Sequence, residues 1–206
     1  MSAKKFLDIL MKMKTKFILL IFVVVAVLIV GFFALNSYIY NEKQVVSIAT
    51  DYKNIEYTIN GEKVKLTDGL AKREVAPGSA SKVVTRYFGN DFLTDLNNDG
   101  REDIVFLLTQ VTGGSGTMFY AVSALNTEQG YVGGDGYLLG DRVAPQNIGL
   151  SQNPRHKNVV VVNYAVREDG EPMTMQPSVG KSTYLKLDTA SMQWGIVEPD
   201  FEGESR

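Results

Sequence analysis

Short runs of β-forming residues, separated by turn residues at close intervals, fill the chain from residue 44 onward. DIVFLLTQV, at residues 103–111, is apolar on both faces, which is typical of a strand buried in the centre of a sheet. TMFYAVSAL, at residues 117–125, is its expected partner across a TGGSG loop. No amphipathic helix is predicted between these runs. A parallel α/β fold needs helical crossovers, so this pattern excludes it.

The remaining runs complete an all-β domain at residues 53–206. In IEYTINGEKVKL, residues 55–66, Asn60-Gly61 stands between alternating residues and predicts a hairpin with a type I′ turn. Asp68-Gly69 predicts the next turn. Further strands are predicted at residues 81–88, 137–143, 158–166, 181–188 and 192–197. Together these runs predict about eight strands, arranged as an antiparallel meander or sandwich.

Composition narrows the chemistry that this chain can support. Hydrophobic residues make up 45% of its 206 residues, which is enough for a packed core. The chain has no cysteine, which excludes disulfides, thiolate metal sites and cysteine nucleophiles. Its one histidine, His156, excludes a multi-histidine metal site.

The N-terminal segment predicts a single membrane span. Residues 17–35 read FILLIFVVVAVLIVGFFAL, without charge or proline, and as a helix they would extend roughly 28 Å. Five lysines but only one aspartate precede this run, which predicts a cytoplasmic N-terminus at residues 1–16 and an extracytoplasmic C-terminal domain. We predict a transmembrane helix at residues 17–38 in the cell membrane, followed by a connector at 39–52. A cleaved signal peptide is the alternative, but the apolar run is longer than usual and lacks a small-x-small site.

An acidic stretch at residues 95–103, DLNNDGRED, suggests a calcium loop. Calcium prefers six to eight oxygen ligands, and alternate residues of a tight loop can converge on one centre. The expected calcium ligands are side-chain oxygens of Asp95, Asn97, Asp99 and Asp103 and the backbone carbonyl oxygen of Arg101. Gly100 permits the sharp bend. The alternative is a metal-free turn stabilised by Asx hydrogen bonds.

The surrounding residues separate this loop from an EF-hand. Phe106 occupies the position where an EF-hand carries its bidentate glutamate, and a strand follows instead of a helix. The D-x-N-x-D-G-x-x-D spacing resembles the calcium loops of FG-GAP and dockerin-like repeats. The resemblance implies a structural calcium ion held by the residues named above. Asp91 is a further candidate ligand because it lies just upstream.

Longer stretches resemble a group of uncharacterised single-pass membrane proteins of uncultivated bacteria. The resemblance is carried by APGSASKVVTRYFGND, DLNNDGREDIVFLLTQ, GGSGTMFYAVSAL and LLGDRVAPQ, and by the stretch from VVVVNYAV to KSTYLKL. It covers most of the outer domain. The group carries no assigned activity, so the resemblance implies the extent of the domain only.

Other motifs carry weaker signals. GGSG at residues 113–116 fits neither a nucleophile elbow nor a phosphate loop and is interpreted as a hairpin loop. His156 is expected to be solvated in a polar turn, and Trp194 is expected to be a packing residue. Residues 167–180, REDGEPMTMQPSVG, form a long loop that is either an adaptable binding surface or a connection whose methionines fold back on the core.

These observations lead to three hypotheses about function, of which the third is a passive envelope subunit that oligomerises through an edge strand. The first is a calcium-stabilised binding module of the cell envelope, anchored in the lipid bilayer, with an envelope protein or a polysaccharide as partner. The second is a hydrolase of an envelope polymer that uses Asp/Glu catalysis. No nucleic acid partner is expected, because the part of the chain after the basic N-terminus carries a net negative charge.

Overall fold

The computed structural model describes residues 30–32 and 51–198. The chain divides into two compact units, residues 1–47 and residues 48–206, and the described strands lie in the second unit. Residues 30–32 are helical. The rest of the predicted span at 17–38, the basic segment 1–16 and most of the connector lie outside the described residues. None of the helices in the described residues is long and apolar enough to cross a membrane, so the span stays a prediction.

The described residues of the second unit, 51–198, are all-β, as predicted, but they form more strands than the sequence pattern indicated. After one turn of 3-10 helix at Tyr52–Asn54, the strands are β1 (Glu56–Ile59), β2 (Glu62–Lys65), β3 (Leu70–Glu74), β4 (Lys82–Thr94), β5 (Asp103–Val111), β6 (Met118–Thr127), β7 (Gly130–Gly133), β8 (Tyr137–Asp141), β9 (Ala144–Leu150), β10 (Val159–Val166), β11 (Val179–Asp188) and β12 (Gln193–Ile196).

These strands form three antiparallel groups. The hairpin β1–β2 stands alone, and Asn60 and Gly61 both have positive φ at its tip, as a type I′ turn requires. The second group has the order β3-β4-β5-β6-β7, with β8 beside β7 along the same edge of β6. The third has the order β12-β11-β10-β9. Within each group, consecutive strands pair with each other, except that β8 pairs with β6 and not with β7. The predicted antiparallel, all-β arrangement is therefore confirmed.

Strand β5 supplies two separate hydrophobic cores from its two faces. Val105 and Leu107 join the core that includes the four-stranded sheet, while Ile104, Phe106 and Leu108 join the core that includes the hairpin. The four-stranded sheet contributes Val160, Val162, Tyr164, Leu185 and Leu187. The hairpin and the residues flanking it contribute Ile55, Tyr57, Ile59, Val64 and Leu66. The prediction that residues 103–111 form a strand buried on both faces is therefore confirmed.

Glycines at the end of β7 and just after it allow the hairpin to approach the large sheet closely. A Cβ on Gly133 would collide with the carbonyl oxygen of Glu56, and a Cβ on Gly136 would lie 2.6 Å from Cδ1 of Ile59. The Gly136 backbone N–H donates to the Thr58 carbonyl oxygen at 2.7 Å, so the backbone after β7 contacts the backbone of β1 directly. The glycine-dense stretch at residues 130–141 therefore serves close packing.

The sequence does not predict strands β3, β7 and β9, because their residues lack a β-strand pattern. β3 reads LAKRE and buries no residue, and β9 reads APQNIGL, which contains proline, asparagine and glycine. Both lie at sheet edges, where backbone hydrogen bonds from a single neighbour are sufficient to hold a strand. The register of β9 against β10 also shifts between Asn163 and Tyr164, close to Pro145.

We expect Gly133→Ala to lower the free energy of unfolding by about 1–3 kcal/mol, because the added methyl group must displace the backbone of β1. Gly180→Ala in β11 is the matched control, since a Cβ there meets no atom within 4 Å. Urea unfolding followed by Trp194 fluorescence measures both variants. Equal free energies of unfolding for Gly133→Ala and Gly180→Ala would contradict a close contact between the hairpin and Gly133.

Candidate functional site

The acidic stretch 95–103 connects β4 to β5, and its last residue is its most buried one. The Asp103 side chain has no exposed surface, although aspartate is seldom fully buried. Its Oδ2 accepts a hydrogen bond from the Leu96 backbone N–H at 2.9 Å, and its Oδ1 accepts one from the Asn126 N–H at 2.8 Å. Asp103 therefore joins the start of the loop to the end of β6.

The exposed part of the loop is organised by three other predicted ligands. Asp95 accepts from the Asp99 N–H at 3.2 Å and from the Gly100 N–H at 2.9 Å. The Asn97 Oδ1 atom accepts from the same Asp99 N–H at 3.0 Å. Asp99 accepts from the Arg101 N–H at 2.8 Å through one oxygen and from the Asn97 amide at 3.1 Å through the other. Oxygens of Asp95, Asn97 and Asp99 thus surround one bend of the backbone.

The two carboxylates at the ends of this network differ in acidity. Burial raises the pKa of Asp103, and the nearby charges of Asp99 and Asp95 raise it further, against the effect of its two backbone donors. The Arg101 N–H lowers the pKa of Asp99, with help from the Asn97 amide and the Arg101 charge. Burial is therefore the main reason that the pKa of Asp103 is raised, and the negative charges of the loop add to its effect.

The side chain of Arg101 partly neutralises this charge. Its Nε lies 3.4 Å from Oδ2 of Asp99 and donates to the Asn126 carbonyl oxygen at 3.1 Å. Its Nη1 lies 3.8 Å from Oε1 of Glu128. Arg101 was predicted to contribute only its carbonyl oxygen, and its guanidinium contacts were not anticipated.

Asp91, the additional candidate ligand, has different partners. Its Oδ2 accepts hydrogen bonds from the hydroxyls of Tyr52 and Tyr87, both at 2.7 Å. These tyrosines pack against the core beneath the hairpin. None of the hydrogen bonds of the described residues joins Asp91 to the loop.

The side-chain oxygens of the loop are of the chemical type that calcium prefers as ligands. Within residues 30–32 and 51–198, no three histidine, aspartate or glutamate side chains are grouped to hold a metal ion. The loop instead offers two carboxylates and one amide oxygen around the bend, with Asp103 directed toward backbone donors. A carboxylate oxygen that accepts one N–H retains a further lone pair, so these hydrogen bonds leave acceptor sites free. Calcium accepts such mixed, flexible oxygen sets more readily than magnesium does.

Two other predicted features adopt clear structures. The TGGSG loop closes the β5–β6 hairpin at the end opposite to the acidic loop, as expected. The side chain of Trp194 packs against the core of the four-stranded sheet, which confirms its packing role. Asp141, in the glycine-dense stretch, is bound at 2.7 Å by the Arg142 guanidinium, which is the main reason that its pKa is lowered.

The predicted loop at residues 167–180 ends at Ser178, because β11 begins at Val179, and it holds its methionines outward. The Arg167 side chain donates to the carbonyl oxygen of Met175 at 2.6 Å and to that of Arg142 at 3.0 Å. The Ser178 N–H donates to the Val166 carbonyl oxygen at 3.0 Å and closes the base of the loop. Met173 and Met175 are nevertheless 55% and 52% exposed. The interpretation in which they fold back on the core is therefore wrong.

A groove on the four-stranded sheet was missed by the sequence analysis. Its volume is about 440 Å³, and it is lined by residues of β9, β10 and β11 and by the start of the loop after β9. His156 belongs to that loop, and its Nδ1 lies 2.7 Å from Oγ of Ser151. Its ring meets the Tyr184 ring edge-on at 5.8 Å. The histidine is therefore half-buried and packs against Tyr184, although the sequence predicted a solvated side chain. No motif signals this groove, because its residues come from three strands.

A second, smaller groove of about 140 Å³ lies where β2, β3 and β4 meet. Lys63, Lys65, Lys72 and Arg73 line it, and two of these cations have acidic partners. Arg73 pairs with Glu62, and Lys63 lies 3.7 Å from Glu56. Neither groove has an aspartate or glutamate among its lining residues.

Comparisons of this chain with protein-family models, with curated proteins and with solved structures find no match.

We expect Asp103→Asn to destabilise the protein by about 1–3 kcal/mol, with or without calcium, because an amide nitrogen would face one of two buried N–H donors. Glu102→Gln is the matched control. Its side chain is exposed, so its effect should stay within about 0.5 kcal/mol. Denaturant unfolding in the presence of a chelator measures both variants. Wild-type stability in Asp103→Asn would contradict the bridging role of this carboxylate.

Proposed function

We propose that this protein is a binding module of the cell envelope, anchored in the membrane through residues 17–38 and stabilised by a calcium ion at residues 95–103. The binding role is supported chiefly by loop 167–180. Its backbone is fixed by Arg167, and it presents two methionines to solvent. Methionine side chains adapt to varied apolar partners, and a prearranged loop loses little entropy on binding.

The alternative of an envelope polymer hydrolase has less support. Glycoside hydrolysis uses two carboxyl groups that flank the scissile bond in a cleft. Neither of the two grooves described above is lined by a carboxylate. Asp103, whose pKa is raised, has both oxygens engaged with backbone donors inside the protein.

A calcium ion at residues 95–103 would be held by the oxygens of Asp95, Asn97 and Asp99, the carbonyl oxygen of Arg101 and the Asp103 carboxylate. Its contribution would be structural. The ion would neutralise charge that now opposes the ionisation of Asp103, and it would hold the loop against the ends of β5 and β6. Extracytoplasmic calcium is abundant enough for a site of modest affinity.

Thermal unfolding of the full chain in detergent tests the calcium ion. With a dissociation constant of about 0.1–1 mM, 10 mM calcium should raise the melting temperature by roughly 3–10 °C over chelator. Asp99→Ala should abolish this rise. Asp188→Ala should retain it, because Asp188 accepts the same type of turn hydrogen bonds, from the Ala190 N–H at 3.0 Å and the Ser191 hydroxyl at 2.7 Å, in a different turn. If calcium does not change the melting temperature of the wild type, residues 95–103 are a metal-free turn stabilised by Asx hydrogen bonds, and the calcium site is refuted.

The absence of cysteine makes the membrane orientation directly measurable. Single variants Ser2→Cys and Ser115→Cys place one thiol before the predicted span and one in the exposed loop between β5 and β6. In intact bacterial cells a membrane-impermeant maleimide should label Ser115→Cys and should label Ser2→Cys only after lysis. The reverse pattern would overturn the proposed orientation, and labelling of neither variant before lysis would argue against an extracytoplasmic domain.

A further inference from the structure

The groove on the four-stranded sheet is polar but uncharged. None of the described residues that line it carries a charged side chain; the polar ones contribute amides and hydroxyls. Its volume of about 440 Å³ lies within the range of small-molecule sites. A phosphate, a carboxylate or an ammonium group entering it would lose water without gaining a counter-charge, which is unfavourable. The chemistry of the groove therefore selects a neutral ligand.

The floor of the groove results from the pairing of three residues across the sheet. Val161 in β10 faces Gly149 in β9 on one side and Tyr184 in β11 on the other. A Cβ on Gly149 would meet no atom within 4 Å, so the missing side chain leaves open space beside Val161, across β10 from Tyr184. Val161 itself is buried. The groove is thus a depression with an apolar floor and an aromatic wall.

A ladder of polar side chains runs along the neighbouring register of the same three strands. The Ser182 hydroxyl donates to Oδ1 of Asn163 at 2.6 Å, and the Asn163 amide donates to Oδ1 of Asn147 at 2.6 Å. This chain of hydrogen bonds fixes the amide orientations. Asn147 and Gln152 make no further side-chain hydrogen bond within the described part of the chain, which leaves amide donors and acceptors for a ligand.

The aromatic wall is held in position before any ligand arrives. The His156 ring packs edge-on against Tyr184, and the histidine is positioned by its 2.7 Å contact with Ser151. A fixed tyrosine ring can pack against the C–H face of a sugar, while fixed amides bond its hydroxyls. Preorganisation of this kind reduces the entropy lost on binding.

We propose that this groove binds a neutral saccharide segment, with Tyr184 as the stacking platform and Asn147, Asn163 and Gln152 as the groups that read its hydroxyls. The ligand presents an apolar C–H face to Val161 and Tyr184 and hydroxyls to the amide ladder. This inference deepens the proposed role as an envelope binding module and rests on it for the source of the saccharide.

An array of immobilised oligosaccharides tests the groove, with the full chain in detergent as the analyte. Neutral hexose and N-acetylhexosamine oligomers are compared with uronate-containing and sulfated oligomers of the same length. Wild-type protein should bind neutral members, and titration calorimetry with the best neutral oligomer then supplies the dissociation constant. Binding restricted to charged oligomers, or to none up to 10 mM, would overturn the proposal.

Variants locate the binding in the groove. Gly149→Val fills the open space and should weaken binding more than about tenfold, as should Tyr184→Ala, which removes the platform. Gly180→Val is the matched control, because it adds the same side chain in open space on β11 away from the groove, and it should bind as wild type does. Thermal unfolding of each variant confirms that the domain is folded. Wild-type affinity in folded Gly149→Val would refute this location.

The outcomes separate this inference from the proposed function. A chain that gains thermal stability from calcium and labels as an extracytoplasmic domain, yet binds no neutral oligosaccharide, overturns the saccharide groove alone. A chain that binds a neutral oligosaccharide without responding to calcium supports the groove and removes the metal from the proposed function.

Discussion

Burial of the β5–β6 pair on both faces is the constraint on which the rest of the structure depends. Two strands without a polar face must be covered on each side, and each large side chain that they bury stabilises the fold by about 1.5–3 kcal/mol. The hairpin β1–β2 covers one face and the four-stranded sheet covers the other. The glycines that let the hairpin approach closely and the exposed outer face of the four-stranded sheet both follow from this layering.

The same pair of strands determines how the acidic loop is built. Asp103 begins β5 and lies beside the end of β6, where the backbone N–H groups of Leu96 and Asn126 require acceptors. A buried carboxylate satisfies both donors, although burial and neighbouring acidic groups oppose its ionisation. The loop thus combines a structural hydrogen-bonding role with a concentration of negative charge. A bound cation would reduce the cost of that charge, which is the physical reason for proposing calcium here.

Several features could be predicted because they depend on residues close together in sequence. The turn at Asn60-Gly61 depends only on the backbone preferences of these two residues. Strands β5 and β10 are predicted by their runs of apolar or β-branched residues. The tight bend at residues 95–103 was also predictable from its Asx residues and Gly100. The membrane span at residues 17–38 stays a prediction, and it rests entirely on local sequence. Strand β9 could not be predicted, because its pairing with β10 overrides the turn preferences of Pro145 and Asn147.

The sequence by itself determined the fold class, most of the strands and the tight turns, because periodicity and turn preference act over a few residues. Only the tertiary structure decided that Asp103 serves donors from two segments, that Met173 and Met175 face solvent, and that Gly149, Val161 and Tyr184 form one groove. These arrangements join residues from different strands. They are fixed by sheet register and by the stacking of layers, which no single stretch of the chain encodes.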